Sequence, residues 1–165
     1  MDTTGLTVRA ATTADVSSLV ELRVANAEAH LALAPDTYRI PERDVVTQHF
    51  ASMLAGDSGQ DAVFVAETAE GHVVGMVEVL RRPEPPDHQI LRPVASAEVH
   101  TVVLPDARGL GAGSALLAAA RRWATDHGIG FLSAGIHHRN AGAVRFYSSN
   151  GFAESGLSLV RRLAR

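Results

Sequence analysis

Cysteine is absent from this 165-residue chain. That excludes disulfides, thiolate metal sites and a cysteine nucleophile. Aromatic residues are few, with one tryptophan, two tyrosines and five phenylalanines. No apolar run reaches the length of a membrane span, and the first residues carry no basic-then-apolar leader pattern. A cytoplasmic location without membrane attachment is the expectation. An excess of positive charge is also missing. The formal net charge is -3, which argues against binding nucleic acid by broad phosphate neutralisation.

What is present fits one globular domain over 1–165. Hydrophobic residues make up 46% and charged residues 20%, enough apolar material for a sizeable core. The most informative stretch is VHTVVLPDARGLGAGS, Val99–Ser114. Its first residues, Val99 to Leu104, are β-branched and apolar and read as a buried strand. Pro105 and Asp106 stop the strand. Arg108, Gly109, Leu110, Gly111, Ala112 and Gly113 follow as a loop tolerant of unusual dihedrals, and Ser114 onward has helical spacing. Strand, glycine loop and helix start together are one way to build an anion site, because the first N–H groups of a helix lack partners and its dipole favours negative charge; a tight turn and nothing more is the other reading. The G-x-G-x-x-G count from Gly109 would place its third glycine at Ser114, and no G-x-x-x-x-G-K-[ST] occurs. The pattern present is R-x-x-G-x-G.

Arg108-Gly-Leu-Gly111-Ala-Gly113 after a Val-rich strand resembles the pyrophosphate loop of the GNAT N-acetyltransferases. A second block agrees. Asn140-Ala-Gly-Ala143-Val-Arg-Phe146-Tyr147, ending in Gly151-Phe152, is similar to that family's N-x-x-A-x-x-F-Y-x-x-x-G-F segment. The order and separation of the two blocks match the family. The resemblance is close from Ala97 to Phe152 and looser before it.

The resemblance implies an α/β (α+β) GNAT fold. Its mixed central sheet would have six to seven strands, splayed at the parallel central pair and flanked by about four helices. Spacing alone gives only α/β or α+β. It further implies acetyl-CoA as cosubstrate. The main chain of Val102, Val103 and Leu104 would hold the pantetheine arm, with the N–H of Val103 or Leu104 as oxyanion donor. Residues Arg108 to Ser114 would hold the pyrophosphate, and Asn140 and Tyr147 would contact the cofactor. Tyr147 would protonate the departing thiolate, a task suited to a neutral, rigid phenol. For the base, Glu98 and His100 are both open; they share a face if the strand is regular, and a bulge would separate them. A water chain anchored by Glu78 is the alternative. His137 and His138 point to opposite faces if they lie on a strand and chelate poorly, so no metal is expected.

In chain order, Leu6–Ala10 reads as a strand and Thr12-x-x-Asp15 as a capping box. Val16, Leu19, Val20, Val24 and Ala27 mark a first helix. Pro41 opens a second, with Val45, Val46, Phe50, Met53 and Leu54 as its apolar set. Asp36 and Tyr38, between them, are candidates for touching substrate. Ala62–Ala66 and His72–Leu80 form a hairpin turning at Glu70-Gly71. Residues 82–94 contain four of the seven prolines and read as a rim loop, a flap or a disordered segment. A third helix buries Leu116, Leu117, Ala120, Trp123 and Ala124 and stops at Gly128. Gly130–His137 is a strand. Asn140 caps a fourth helix, and Gly151 follows it. Leu157–Leu163 closes the sheet as an edge or hairpin strand.

The function expected is transfer of acetyl from acetyl-CoA to a primary amine of a small molecule such as an amino acid, a polyamine or an aminoglycoside-like acceptor. Acetylation of peptide N-termini or lysines is the alternative. A catalytically silent acyl-CoA-binding module is another, and a dinucleotide-dependent oxidoreductase is a third. A homodimer is a further expectation.

Overall fold

Alternating apolar positions build the sheet on which everything else is hung. In a computed structural model, described over residues 5–56 and 59–164, five strands form one sheet in the order β1-β2-β3-β4-β5. These are Leu6–Ala10, Asp61–Thr68, Val73–Arg82, Ser96–Val103 and Phe131–Ser133. The first three pairings are antiparallel, and β4 with β5 is parallel. Helices α1 (Val16–Leu33), α2 (Arg43–Ala55), α3 (Ala112–Asp126) and α4 (Ala141–Ser149) complete the described elements. This is the mixed α/β architecture expected, with five strands rather than six or seven.

The chain divides after Gly135 into two compact units. The first holds the sheet and α1 to α3. Leu19, Val20, Leu22, Val46 and Phe50 of α1 and α2 pack with Val63, Val65, Met76 and Val102 of the strands into one buried cluster. Each such side chain removed from water contributes about 1.5–3 kcal/mol, which fixes the two helices over the face of β4 that carries the even-numbered side chains. A side chain at Gly75, on the opposite face, would meet Leu116 of α3 at 3.1 Å, so α3 lies against the odd-numbered face. Between Ser96 and Val103 the β3–β4 register runs without a shift.

Local signals behave as expected in most places. The Thr12 N–H donates to the Asp15 carboxylate at 2.7 Å, and the turn it begins, Thr13–Asp15, runs directly into α1. The hairpin turns at Glu70-Gly71, where the Gly71 N–H donates to Thr68 O at 2.9 Å. Gly128 and Gly151 follow α3 and α4 with positive φ. Other expectations need correction. Val45 is exposed while Leu22, two positions off the expected stripe, is buried. Pro41 precedes the cap Glu42 instead of starting α2. Trp123 is half-buried; its ring is stacked on His127 at 4.1 Å and is not part of the core. The segment between β3 and β4, 83–95, is an exposed loop with a turn closed from Gln89 N–H to Pro86 O at 2.9 Å.

The second unit contains α4 and the chain after it. Its expected closing strand, Leu157–Leu163, is not formed among the described residues. Leu157, Leu159 and Val160 are 91–93% exposed. Alternating apolar character makes a strand only where another strand offers a ladder, and this segment has none. His137 and His138 also lie outside any strand, in the approach to α4 with their rings 4.4 Å apart. No helix of the described residues is long and apolar enough to cross a membrane.

Candidate active site

The site begins where β4 outruns its parallel partner. β5 pairs with β4 only at Ser96, Ala97 and Glu98, opposite Phe131, Leu132 and Ser133. Beyond Glu98, β4 continues for five more residues beside β3 alone. The edge facing β5 therefore opens at Glu98, which is the splay expected for this pair.

Main-chain alternation decides which groups reach that open edge. In an antiparallel ladder, successive residues turn their N–H and C=O to opposite sides. The Leu104 N–H donates to Val74 O at 2.9 Å, so Leu104 and Val102 spend their main-chain groups on β3. On the other side, Ala95 O accepts from Gly130 N–H at 2.8 Å, so odd-numbered residues face the β5 side. Of Val102, Val103 and Leu104, only Val103 presents its N–H to the opening. Val102 instead contributes a buried side chain to the core.

After β4 a short turn, Pro105–Ala107, leads into Arg108. Gly109 and Gly111 have φ of 79° and 81°, a region that L side chains rarely adopt. A Cβ on either would meet nothing within 4 Å. The loop thus leaves a bare cradle of main chain. Gly111 is the N-cap of α3, and the helix closes its first turn from Ala115 N–H to Gly111 O at 3.0 Å. The N–H groups of Ala112, Gly113 and Ser114 consequently have no partner within the helix. Arg108 and Leu110 are exposed beside them, and Ala112 is buried. Amides, a helix dipole and a guanidinium suit a diphosphate, so the residues present fit the phosphate end of a coenzyme A.

The even-numbered face of the strands carries ionisable groups. Without a bulge, Glu98 and His100 share this face, and Glu78 stands directly opposite His100 in the ladder. The Glu98 carboxylate is paired with Arg82, and its other oxygen lies 3.4 Å from His100 Nε2. Burial pushes the His100 imidazole below its usual range; the nearby Arg23 and Arg82 push the same way and Glu78 opposes them. A neutral imidazole at neutral pH is able to accept a proton, whereas one oxygen of the Glu98 carboxylate is taken up by Arg82. Glu78 is almost fully buried, ion-paired with Arg23 of α1 and accepting from His49 Nε2 of α2 at 3.0 Å. Sequence reasoning missed Arg23 and His49. One signal was available for Arg23, which stands between Leu19 and Ala27 on the inward stripe of α1.

In the second unit, Asn140 caps α4 by accepting from Ala143 N–H at 3.1 Å. Tyr147 is a buried residue of α4, with its ring edge-on to Phe146 at 5.0 Å and Phe152 at 5.1 Å. Of the two residues placed near substrate, Tyr38 stands edge-on to His30 at 4.9 Å, and Asp36 is exposed.

Comparison with known proteins adds a family. The model of the acetyltransferase (GNAT) family matches residues 26–152. An aminoglycoside N(6')-acetyltransferase type 1 from Stenotrophomonas maltophilia is 32% identical over 149 residues, covering 90% of this chain and 87% of its own. Among solved structures, a mutant of the BH1408 protein from Bacillus halodurans superposes with a TM-score of 0.85 at 19% identity, covering 96% of this chain and 99% of that one. The aminoglycoside N-acetyltransferase AAC(6')-Iy in complex with CoA superposes with a TM-score of 0.72 at 22% identity, covering 96% and 94%. With the motifs, the splayed pair and the glycine cradle already in place, the chain belongs to the GNAT family and is an N-acetyltransferase.

Proposed function

We propose that this enzyme, a single GNAT domain over 1–165, transfers acetyl from acetyl-CoA to a primary amine of a small, aminoglycoside-like acceptor. The observation that carries the acceptor class is the 32% identity, across 90% of this chain, to an aminoglycoside N(6')-acetyltransferase. A structural neighbour in complex with CoA supports the cosubstrate. So does another bound to a bisubstrate analogue joining CoA to acetylneamine.

The roles follow from chemistry. Arg108 and the amides of the loop and α3 start, through Ser114, hold the pyrophosphate. The edge of β4 at Val103 holds the pantetheine arm, and its N–H stabilises the negative charge that develops on the carbonyl oxygen. The acceptor arrives as an ammonium and must lose a proton before its nitrogen attacks the thioester carbon. His100 takes that proton. The new C–N bond forms, the C–S bond breaks, and Tyr147 supplies the proton to sulfur; the second proton, shed by the nitrogen as the amide forms, returns through water to the Tyr147 phenolate. Asn140 contacts the cofactor. The assignments of Tyr147 and Asn140 rest on the motif from Asn140 to Phe152.

Steady-state assays across aminoglycosides, polyamines, amino acids and short peptides test the proposal. Aminoglycoside turnover above the rest supports it. Peptides beating every free amine overturn the acceptor class, and acetyl-CoA binding without turnover of any amine overturns the enzyme reading.

A further inference from the structure

One buried carboxylate has no part in the steps above. Glu78 lies in the middle of β3 and is 1% exposed. Its two oxygens are engaged from two different helices, by Arg23 of α1 and by His49 of α2. On its third side stands His100, directly opposite across the β3–β4 ladder. Cross-strand neighbours of this kind have Cβ atoms about 4.5–5.5 Å apart, close enough for side chains to act on one another. Burying a charge here is expensive, and well-packed apolar residues often serve stability as well as a buried ion pair does. The cluster therefore calls for a purpose beyond stability, and its neighbour supplies one.

When the acceptor gives up its proton, His100 becomes a cation in a partly buried site. Two guanidiniums, Arg23 and Arg82, act against that charge, and Glu78 acts for it. The remaining ionisable groups at hand are Glu98, on the same strand and already paired with Arg82, and His49, hydrogen-bonded to Glu78.

We propose that Glu78 is the positioning carboxylate of this site, held between Arg23 and His49 so that its charge faces His100 and stabilises the imidazolium formed when the acceptor's proton arrives. The inference rests on His100 being the base. The proton leaves the ammonium nitrogen, resides on the His100 ring and passes to water. Glu78 neither gains nor loses one.

The test uses the full chain with acetyl-CoA and neamine as probes. Released CoA is read with a thiol reagent, for which this cysteine-free protein gives no background. kcat and KM are measured across the range in which an imidazole titrates, about pH 5–9. In parallel, NMR of isotope-labelled histidine follows the His100 ring directly, without turnover. In Glu78→Gln the His100 midpoint falls by about one pH unit and kcat falls about tenfold, with KM for acetyl-CoA unchanged. In Arg23→Gln and Arg82→Gln the midpoint rises. A merely structural lesion does not produce shifts of opposite sign. Should Glu78→Gln fail to fold, the two arginine variants carry the sign test, and a midpoint unmoved in both overturns the proposal. A His100 midpoint unchanged in folded Glu78→Gln, with His100→Gln inactive, overturns the proposal and spares the base assignment. A fully active His100→Gln overturns the base assignment itself and the role of Glu78 with it.

Discussion

Asp15 and Glu78 are the two charged residues that the described chain buries, and they are held in opposite ways. Asp15 is clamped from nearby. Arg9, six residues earlier, places both terminal guanidinium nitrogens on its carboxylate at 2.8 and 2.9 Å, and the Thr12 N–H donates to it as well. Arg9 also reaches Glu67 at 2.6 Å, tying β1 to β2. Both carboxylate oxygens of Asp15 are committed to these donors. Glu78 is held by partners 55 and 29 residues away, and its neighbour across the sheet is a histidine. The first carboxylate fastens the chain to itself. The second brings three distant elements to one point and faces the proposed chemistry.

That contrast makes predictions, beginning with the side facing the chemistry. His100→Gln removes the group Glu78 serves. Steady-state kinetics should show kcat/KM lower by about 10²–10⁴-fold, the usual worth of a positioned base, with the pH limb lost and the melting temperature little changed. Asp15→Asn should do the reverse. Removing a charged hydrogen-bond partner from a buried cluster costs about 1–3 kcal/mol, so the melting temperature should fall by on the order of 5 °C in a chain of this size. The kcat of the folded enzyme should stay at the wild-type value.

Acid sharpens the same difference. The Arg9 guanidinium holds the Asp15 carboxyl below its ordinary value, with Thr12 assisting. A depressed folded pKa contributes stability that is fully present above the unfolded value, about 3.9, and is lost as pH falls through the folded value. Wild-type melts should therefore weaken below about pH 4, and Asp15→Asn should weaken less steeply across the same interval. The smallest effect belongs to an exposed pair joining the two front helices, Arg43 with Glu21. Solvent screens such pairs, so Arg43→Gln should leave both the melting temperature and kcat unchanged within error.

The same contrast explains what the sequence disclosed. Thr12 and Asp15 were legible as a capping box because the motif is local. So were the turn at Gly71, the cap Asn140, and the strand–loop–helix unit from Val99 to α3. Each is decided by residues within a turn or two of one another. Glu78 was legible as a possible anchor for a water chain, but its cluster was not, because Arg23 and His49 come from α1 and α2 and nothing local ties them to it. The choice of Val103 over Leu104 required the ladder, since only pairing partners reveal which way an N–H points. Leu157–Leu163 misled for a related reason: its pattern fits a strand, but a strand exists only against an edge. Trp123 misled because an indole satisfied by stacking on His127 need not enter the core.

The central claim is that the open edge of β4 and the start of α3 hold acetyl-CoA. Amide NMR of the chain titrated with acetyl-CoA reads this residue by residue. The largest changes, together with slowed hydrogen exchange, are expected at Val103, Ala112, Gly113 and Ser114, and little change at Leu104, whose N–H is already bonded to Val74. Saturable binding that leaves those four amides unmoved would contradict it.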